Sequence, residues 1–251
     1  EQRTVEGRDT RETEIREENA EQDEGGRDNI QDKLIAALKQ NCTTRRLARL
    51  SALTVTGSSS WLTRAPTTFS FMNAAEFSLS LRRYLGLRIY NQPGPCDRCK
   101  TYNFDQLGDH TLVTCPGRFR NVRHNRVCEV LVGYLKAAGL SVLSEPKHQF
   151  PSTSLRPDIK VYNWSEGRNA FLDVTIVDQL QLDVLPRTVA KPMHVLNRAE
   201  KIKKDKYEVV CKDQNAQFIP LAFSAFGGFG KSSNSFLSDV AYCLATIQQR
   251  P

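Results

Sequence analysis

The sequence predicts an α/β fold in which helices cover a mixed β-sheet. After residue 122 the predicted elements follow the order helix, three strands, helix, strand, helix. One of the strands is apolar along nearly its whole length, which indicates burial on both faces of a sheet. This order of elements is typical of a sheet with helices packed against it.

The elements follow from hydrophobic periodicity and from the residues that interrupt it. Apolar residues from Val127 to Ala138 share one helical face, and Gly139 ends that helix. Pro192 stands just before a long helix, and the last helix is amphipathic. The predicted strands span residues 141–145, 158–162, 170–177 and 217–223, and the later helices span about 194–212 and 236–247.

Before residue 122 the sequence differs in apolar content and in periodicity. The opening residues contain almost no large apolar side chain that could offset the entropy of ordering, which predicts disorder. A lead with helical spacing follows; it contains a flexible Gly-Ser joint at 57–60 and a helix over 73–83. The predicted segments are a disordered charged tether (1–29), a helical lead (30–91), a Cys/His segment (92–118) and the α/β domain (119–251).

Charge and composition limit the functional classes. The chain has 251 residues and a net charge of +7, but residues 1–33 carry −6 and residues 34–251 carry +13. Such a basic folded part favours a polyanionic partner such as DNA. We expect neither a membrane-spanning nor a secreted protein, because no run of ~20 apolar residues and no leader is present. The odd number of cysteines, seven, favours a reducing compartment, and we expect a nuclear or otherwise intracellular location.

A CCHC motif predicts a structural zinc knuckle. Its ligands have the order Cys-x2-Cys-x10-His-x4-Cys and lie at Cys96, Cys99, His110 and Cys115. Two cysteines two residues apart can bind one tetrahedral Zn²⁺ from a tight turn, and the second pair closes the site. Four protein ligands leave no position for a catalytic water. His124 is an alternative fourth ligand, and chance spacing of free thiols is the alternative to any metal.

Two aspartates predict a magnesium site. Asp158 opens one strand and Asp173 lies inside the next, so a hairpin that turns near residues 164–169 brings both carboxylates to one end of the sheet. Such a pair could hold Mg²⁺ and so polarise a phosphodiester. The alternative is a structural salt bridge with Arg156 or a lysine.

A lysine-rich helix follows these strands. Lys203 and Lys204 stand four and three residues before Tyr207, so that one of the lysines could reach the acids and stabilise charge at phosphorus. A solvated basic helix face is the alternative. Glu129 and Glu145 are possible further metal ligands.

A second basic cluster comes directly after the knuckle. Its spacing across a loop and a helix N-terminus suits contact with DNA phosphates, which fixes position without reading sequence. Its members are Arg118, Arg120, Arg123, His124 and Arg126.

Together these pieces resemble the C-terminal part of site-specific non-LTR retrotransposon proteins. Those proteins carry a restriction-like endonuclease of the PD-(D/E)XK fold behind a reverse transcriptase. The resemblance covers about residues 57–232. Its pieces are Gly57-Ser58-Ser59-Ser60-Trp61-Leu62, the CCHC knuckle, Arg123-His124-Asn125, Pro157-Asp158, Asp173-Val174-Thr175, the lysine-rich helix ending at Tyr207, Phe218-x-Pro220-Leu221 and Gly227-Gly228-Phe229-Gly230.

The resemblance implies a PD-(D/E)XK core behind a zinc knuckle, with Mg²⁺-dependent nicking of target DNA as its reaction. Asp158 and Asp173 match the two acids, and Glu129 matches an acidic position on the first helix. Thr175 stands where the wider fold usually has its lysine, and in this branch the following helix supplies it. That implies Lys204 or Lys203 as the catalytic lysine, with Tyr207 beside it.

The chain departs from the family because it contains no polymerase block and no Tyr-x-Asp-Asp pair. We therefore expect a fragment of a longer protein, a decayed element or a captured endonuclease module, with DNA and possible element RNA as partners. A catalytically inactive, zinc-containing nucleic-acid-binding module is the alternative function, and Thr175 at the usual lysine position favours it.

Overall fold

The structure is a computed structural model in which residues 44–251 form one compact unit. The residues it describes are 33, 36, 37, 40–63, 71–111, 115, 116, 119–151 and 153–248. The predicted tether over residues 1–29 lies outside the described residues. Within the described part, no helix is both long enough and apolar enough to cross a membrane.

The sheet has four strands in the order β3-β4-β5-β6, and a separate two-stranded ribbon precedes it. Strands β3, β4 and β5 are antiparallel, whereas β6 is parallel to β5, so the predicted mixed sheet is confirmed. The strands are β1 (Gly94–Pro95), β2 (Asn103–Phe104), β3 (Val142–Ser144), β4 (Ile159–Ser165), β5 (Arg168–Val177) and β6 (Gln217–Ser224).

Helices flank the sheet, as predicted. The long helix has the bounds that its periodicity and the preceding Pro192 predict, His194–Lys212. The helices are α1 (Thr44–Leu53), α2 (Ser60–Thr63), α3 (Ala74–Leu85), α4 (Phe119–Ala137), α5 (Leu185–Ala190), α6 (His194–Lys212) and α7 (Lys231–Gln248).

The alternation of side chains along β5 divides the core between the two faces of the sheet. Leu172 and Val174 pack with residues of α4 and α7 on one face. Phe171 packs with Tyr207 and Cys211 of α6 on the other face. Asp173 belongs to the α6 face, since successive strand residues point to opposite sides.

The β4–β5 hairpin fixes how the two candidate acids face each other. Its two-residue turn, Glu166-Gly167, has φ of 50° and 74°, and two positive φ values are typical of the tight turns that join antiparallel strands. The register pairs Ile159 with Leu172, so Asp158 lies opposite Asp173.

The Gly57–Ser60 segment is not the flexible joint that its composition predicts. Ser58 is fully buried, and its Oγ donates to the carbonyl of Ala52. Gly57 has a φ of 94°, and a Cβ there would lie 2.7 Å from the Phe229 ring. The backbone N–H of Phe229 donates to Thr56, so this turn packs against the loop that follows β6.

A buried aspartate joins the helical lead to the Cys/His segment. Asp109 forms ion pairs with Arg45, Arg49 and Arg83 at N–O distances of 2.7, 3.2 and 2.8 Å. The guanidinium groups of Arg49 and Arg83 also lie over the ring of Phe226, which follows β6. One carboxylate therefore connects α1, α3 and the Cys/His segment.

We expect Asp109→Asn to lower the free energy of unfolding by about 3–5 kcal/mol, because it leaves the buried guanidinium of Arg49 without its carboxylate. The urea midpoint measures this change at an unchanged slope. The exposed pair between Lys201 and Asp205 offers a control, and Asp205→Asn should change stability by less than about 1 kcal/mol. Equal midpoints for the two variants would contradict the role of Asp109.

Candidate functional site

The four residues of the CCHC motif come together as predicted. Cys96 Sγ lies 3.8 Å from Cys115 Sγ, and Cys99 Sγ lies 3.4 Å from His110 Nε2. All four ligand atoms lie within 4.8 Å of one another. Tetrahedral Zn²⁺ with Zn–S bonds of about 2.3 Å and Zn–N bonds of about 2.0–2.1 Å requires S–S and S–N separations of about 3.8 and 3.5 Å. The cluster could therefore hold a metal such as zinc.

Local hydrogen bonds position these ligands. The β1–β2 ribbon places Cys96 at a tight turn, where the Cys96 N–H donates to Tyr102 and the Lys100 N–H donates to Cys96. The carboxylate of Asp105 accepts from three backbone N–H groups, those of Leu107, Asp109 and His110. These hydrogen bonds hold the backbone of the segment that carries His110.

The pKa values of Cys96 and Cys99, the two cysteines between β1 and β2, are both lowered, which favours the thiolate. The backbone N–H groups of Cys99 and Arg98 lower the pKa of Cys96. Burial acts to raise the pKa of Cys99, but the N–H groups of Thr101 and Tyr102 outweigh it, and the net pKa is lowered. Metal ions bind the thiolate, so a lowered thiol pKa favours coordination.

The two acids lie at the same end of the sheet, where β5 extends beyond β4. Asp158 precedes the first residue of β4, and its Oδ2 accepts from the backbone N–H of Val174 at 2.6 Å. Asp173 is only 4% exposed and faces α6. Both acids thus stand at one end of the sheet, where Asp158 contacts His124 of α4 and Asp173 contacts Lys203 of α6.

Of the two candidate lysines, Lys203 contacts Asp173 and Lys204 does not. Lys203 Nζ lies 2.5 Å from Asp173 Oδ1. Lys204 is exposed and lines a surface groove with Trp164 and Phe218. Consecutive helix residues point about 100° apart, so only one of them can reach the carboxylates.

Tyr207 lies beside the pair, one turn after Lys203. Its hydroxyl donates to the carbonyl of Arg156 at 2.9 Å, which holds the loop before Asp158 against α6. Burial first, and then the charge of Asp173, raises the pKa of Tyr207, so the phenol stays protonated. Arg156 itself pairs with Glu145 at 3.4 Å rather than with either aspartate.

His124, which the sequence predicted to contact DNA phosphates, also lies at this site. Its Nε2 lies 3.1 Å from the carbonyl of Val174 and 3.3 Å from Asp158 Oδ2. The hydrogen bond to Asp158, joined by one to Cys128, raises the pKa of His124 to about 11. His124 is therefore not the alternative fourth ligand of the knuckle, and its imidazole is turned toward an acid rather than outward to a phosphate.

The position of His124 follows from a helical stripe that could have been found in the sequence. His124, Cys128, Leu131 and Leu135 recur at three- and four-residue intervals along α4, and the two leucines are buried against the sheet. The stripe therefore turns His124 toward the end of β5.

The remaining candidate residues differ in their exposure to solvent. Glu129 is exposed and pairs with Arg126 at 2.9 Å, so it does not reach the aspartates. Arg120 and Arg126 are exposed on the first turns of α4, as phosphate contact requires. Arg123 is half-buried, and burial is the main cause that lowers its pKa. Arg118 lies outside the described residues.

We expect the purified chain to retain about one zinc ion, bound by the four-ligand cluster, through dialysis against buffer. Cys115→Ser should remove this tightly bound ion, because it deletes one of the four ligands. Cys243→Ser, which changes a thiol on α7, is the matched control and should keep the zinc. Elemental analysis by mass spectrometry measures the ratio, and an unchanged zinc content in Cys115→Ser would exclude the site.

Comparison with protein-family models and with curated proteins finds no match for this chain. The site is thus characterised by its own geometry: a Cys/His cluster and, separately, two opposed aspartates paired with Lys203 and His124.

Proposed function

We propose that the chain is a Mg²⁺-dependent DNA endonuclease module with a PD-(D/E)XK core and a structural zinc knuckle, of the kind found in site-specific retrotransposon proteins. The observation that carries the proposal is the contact of Lys203 with Asp173 at 2.5 Å, on the strand pair that also presents Asp158. A pair of carboxylates can hold a divalent ion that polarises a phosphodiester, and an ammonium group beside them can stabilise the charge that develops at phosphorus. Chromosomal DNA as substrate implies action in the nucleus.

The residues suit a hydrated divalent ion. Asp158 and Asp173 would hold Mg²⁺, which supplies a Lewis acid for the phosphodiester when bound. Thr175 follows Asp173 on the same face of β5, and its buried Oγ1 has no hydrogen-bond partner among the described residues. A water molecule in the shell of a cation would satisfy this hydroxyl.

Lys203 and Tyr207 have different parts in this mechanism. The Lys203 ammonium carries a fixed positive charge into the site and is placed to stabilise the negative charge that develops on the phosphate. Tyr207 is a positioning residue, because its hydroxyl holds Arg156 and through it the loop that ends at Asp158.

A non-catalytic nucleic-acid-binding module is the second candidate, and the pairing of charges favours it. Asp173 is paired with Lys203, and Asp158 with a protonated His124. The two acids and two bases sum to zero without any metal. A neutral site gives a divalent cation less attraction than two free carboxylates would.

Nicking of a supercoiled plasmid in Mg²⁺ or Mn²⁺ separates these candidates. We expect the wild-type chain to nick, and Asp173→Asn and Lys203→Ala to be at least about 100-fold slower, because each removes a group that stabilises the transition state. Lys204→Ala, which changes a neighbouring lysine outside the site, is the matched control and should nick normally. Absence of nicking by the wild type at every metal concentration, with DNA binding retained, would support the binding module instead.

DNA binding should depend on salt through the exposed arginines of α4. We expect Arg120→Ala to reduce the slope of log K against log salt by about 0.9, the value for one lost phosphate contact. Arg168→Ala changes an exposed arginine at the tip of the β4–β5 hairpin and should leave the slope unchanged. Fluorescence anisotropy with a labelled duplex measures both slopes, and equal slopes would place the DNA elsewhere on the surface.

A further inference from the structure

A second group of potential metal ligands lies beside the acids, apart from the CCHC cluster. It consists of His124, Cys128 and Asp158, and each of these residues offers one ligand atom within 4.8 Å of the others. His124 and Cys128 are four residues apart on α4 and so present their side chains on one face. Asp158 reaches the same point from the start of β4.

The histidine is oriented as metal-ligating histidines are. Its Nε2 interacts with the carbonyl of Val174 at 3.1 Å, and its Nδ1 lies 3.9 Å from Cys128 Sγ. A ligating histidine usually donates its other ring N–H to a backbone carbonyl or a carboxylate, which fixes the ring. The Val174 carbonyl has that position here, with Asp158 Oδ2 3.3 Å from the same Nε2. Nδ1 lies 3.3 Å from Asn125 Oδ1 and faces the thiol of Cys128 beyond it.

The donor set selects the kind of ion. A thiolate and an imidazole are the ligands of Zn²⁺ and similar transition ions, whereas Mg²⁺ requires oxygen ligands. The side chains of His124 and Asp158 are 31% and 22% exposed, so an ion can enter from solvent. Three protein ligands leave a fourth tetrahedral position to water.

We propose that His124, Cys128 and Asp158 form a second divalent-metal site, specific for Zn²⁺-like ions, in addition to the CCHC cluster. Coordination replaces the proton on His124 Nδ1 and the proton on the Cys128 thiol, and both protons pass to solvent.

The site has a consequence that depends on the endonuclease proposal. Asp158 is a ligand of the proposed Mg²⁺ position as well as of this second site. An ion bound to His124 and Cys128 through Asp158 competes with Mg²⁺ for the carboxylate. Zn²⁺ should therefore inhibit nicking through a residue that the nicking reaction itself does not need, Cys128.

The 251-residue chain, with any zinc that the CCHC cluster retains left in place, is titrated with Co²⁺, and thiolate-to-cobalt charge-transfer absorption is recorded. We expect the wild type to gain this absorption, Cys128→Ser to lose it and Asp158→Asn to bind Co²⁺ at least about tenfold more weakly. Cys243→Ser is the matched control and should behave as the wild type. No such absorption in the wild type, or the same absorption in Cys128→Ser, would overturn the site.

Plasmid nicking in Mg²⁺ with added Zn²⁺ then tests the consequence separately. Zn²⁺ should inhibit the wild type and have much less effect on Cys128→Ser. Equal inhibition of both chains would overturn the competition at Asp158. A chain that binds Co²⁺ through Cys128 but never nicks DNA would disprove the endonuclease and leave the metal site standing.

Discussion

The arrangement of Asp158 and His124 depends on the part of β5 that extends beyond β4. β5 runs on to Val177, whereas β4 begins opposite Leu172, so the backbone of Val174 has no strand partner on that side. A buried amide and carbonyl without partners are costly. The side chain of Asp158 accepts from the Val174 N–H, and the ring of His124 contacts the Val174 carbonyl. The need to satisfy one peptide group thus places an acid, a base and helix α4 together.

The same arrangement keeps the electrostatic energy of the site low. Asp173 and Asp158 each have their own cation from a different helix: Lys203 of α6 and His124 of α4. A nearby opposite charge favours the ionised form of a carboxylate. Binding of a divalent ion has to compete with these cations.

Features that depend on local periodicity could be predicted from the sequence. The bounds of α6, the β4–β5 hairpin and the CCHC ligand set all follow from neighbouring residues, and the structure contains each of them. The choice of Lys203 over Lys204, and the role of His124, depend on the rotation of each helix against the sheet, which a single helix does not reveal. Helix α5 is too short to show a period, and α7 begins five residues before its first large apolar side chain, Phe236.

The position of Asp109 couples two parts of the molecule that are far apart in sequence. It is adjacent to His110 in the CCHC cluster, and its carboxylate binds arginines from α1 and α3. A metal bound by the cluster would therefore be thermodynamically linked to the packing of these helices, because His110 and Asp109 are adjacent in the chain. Removal of such a metal by a chelator would then loosen α1 and α3, two helices that supply none of its ligands.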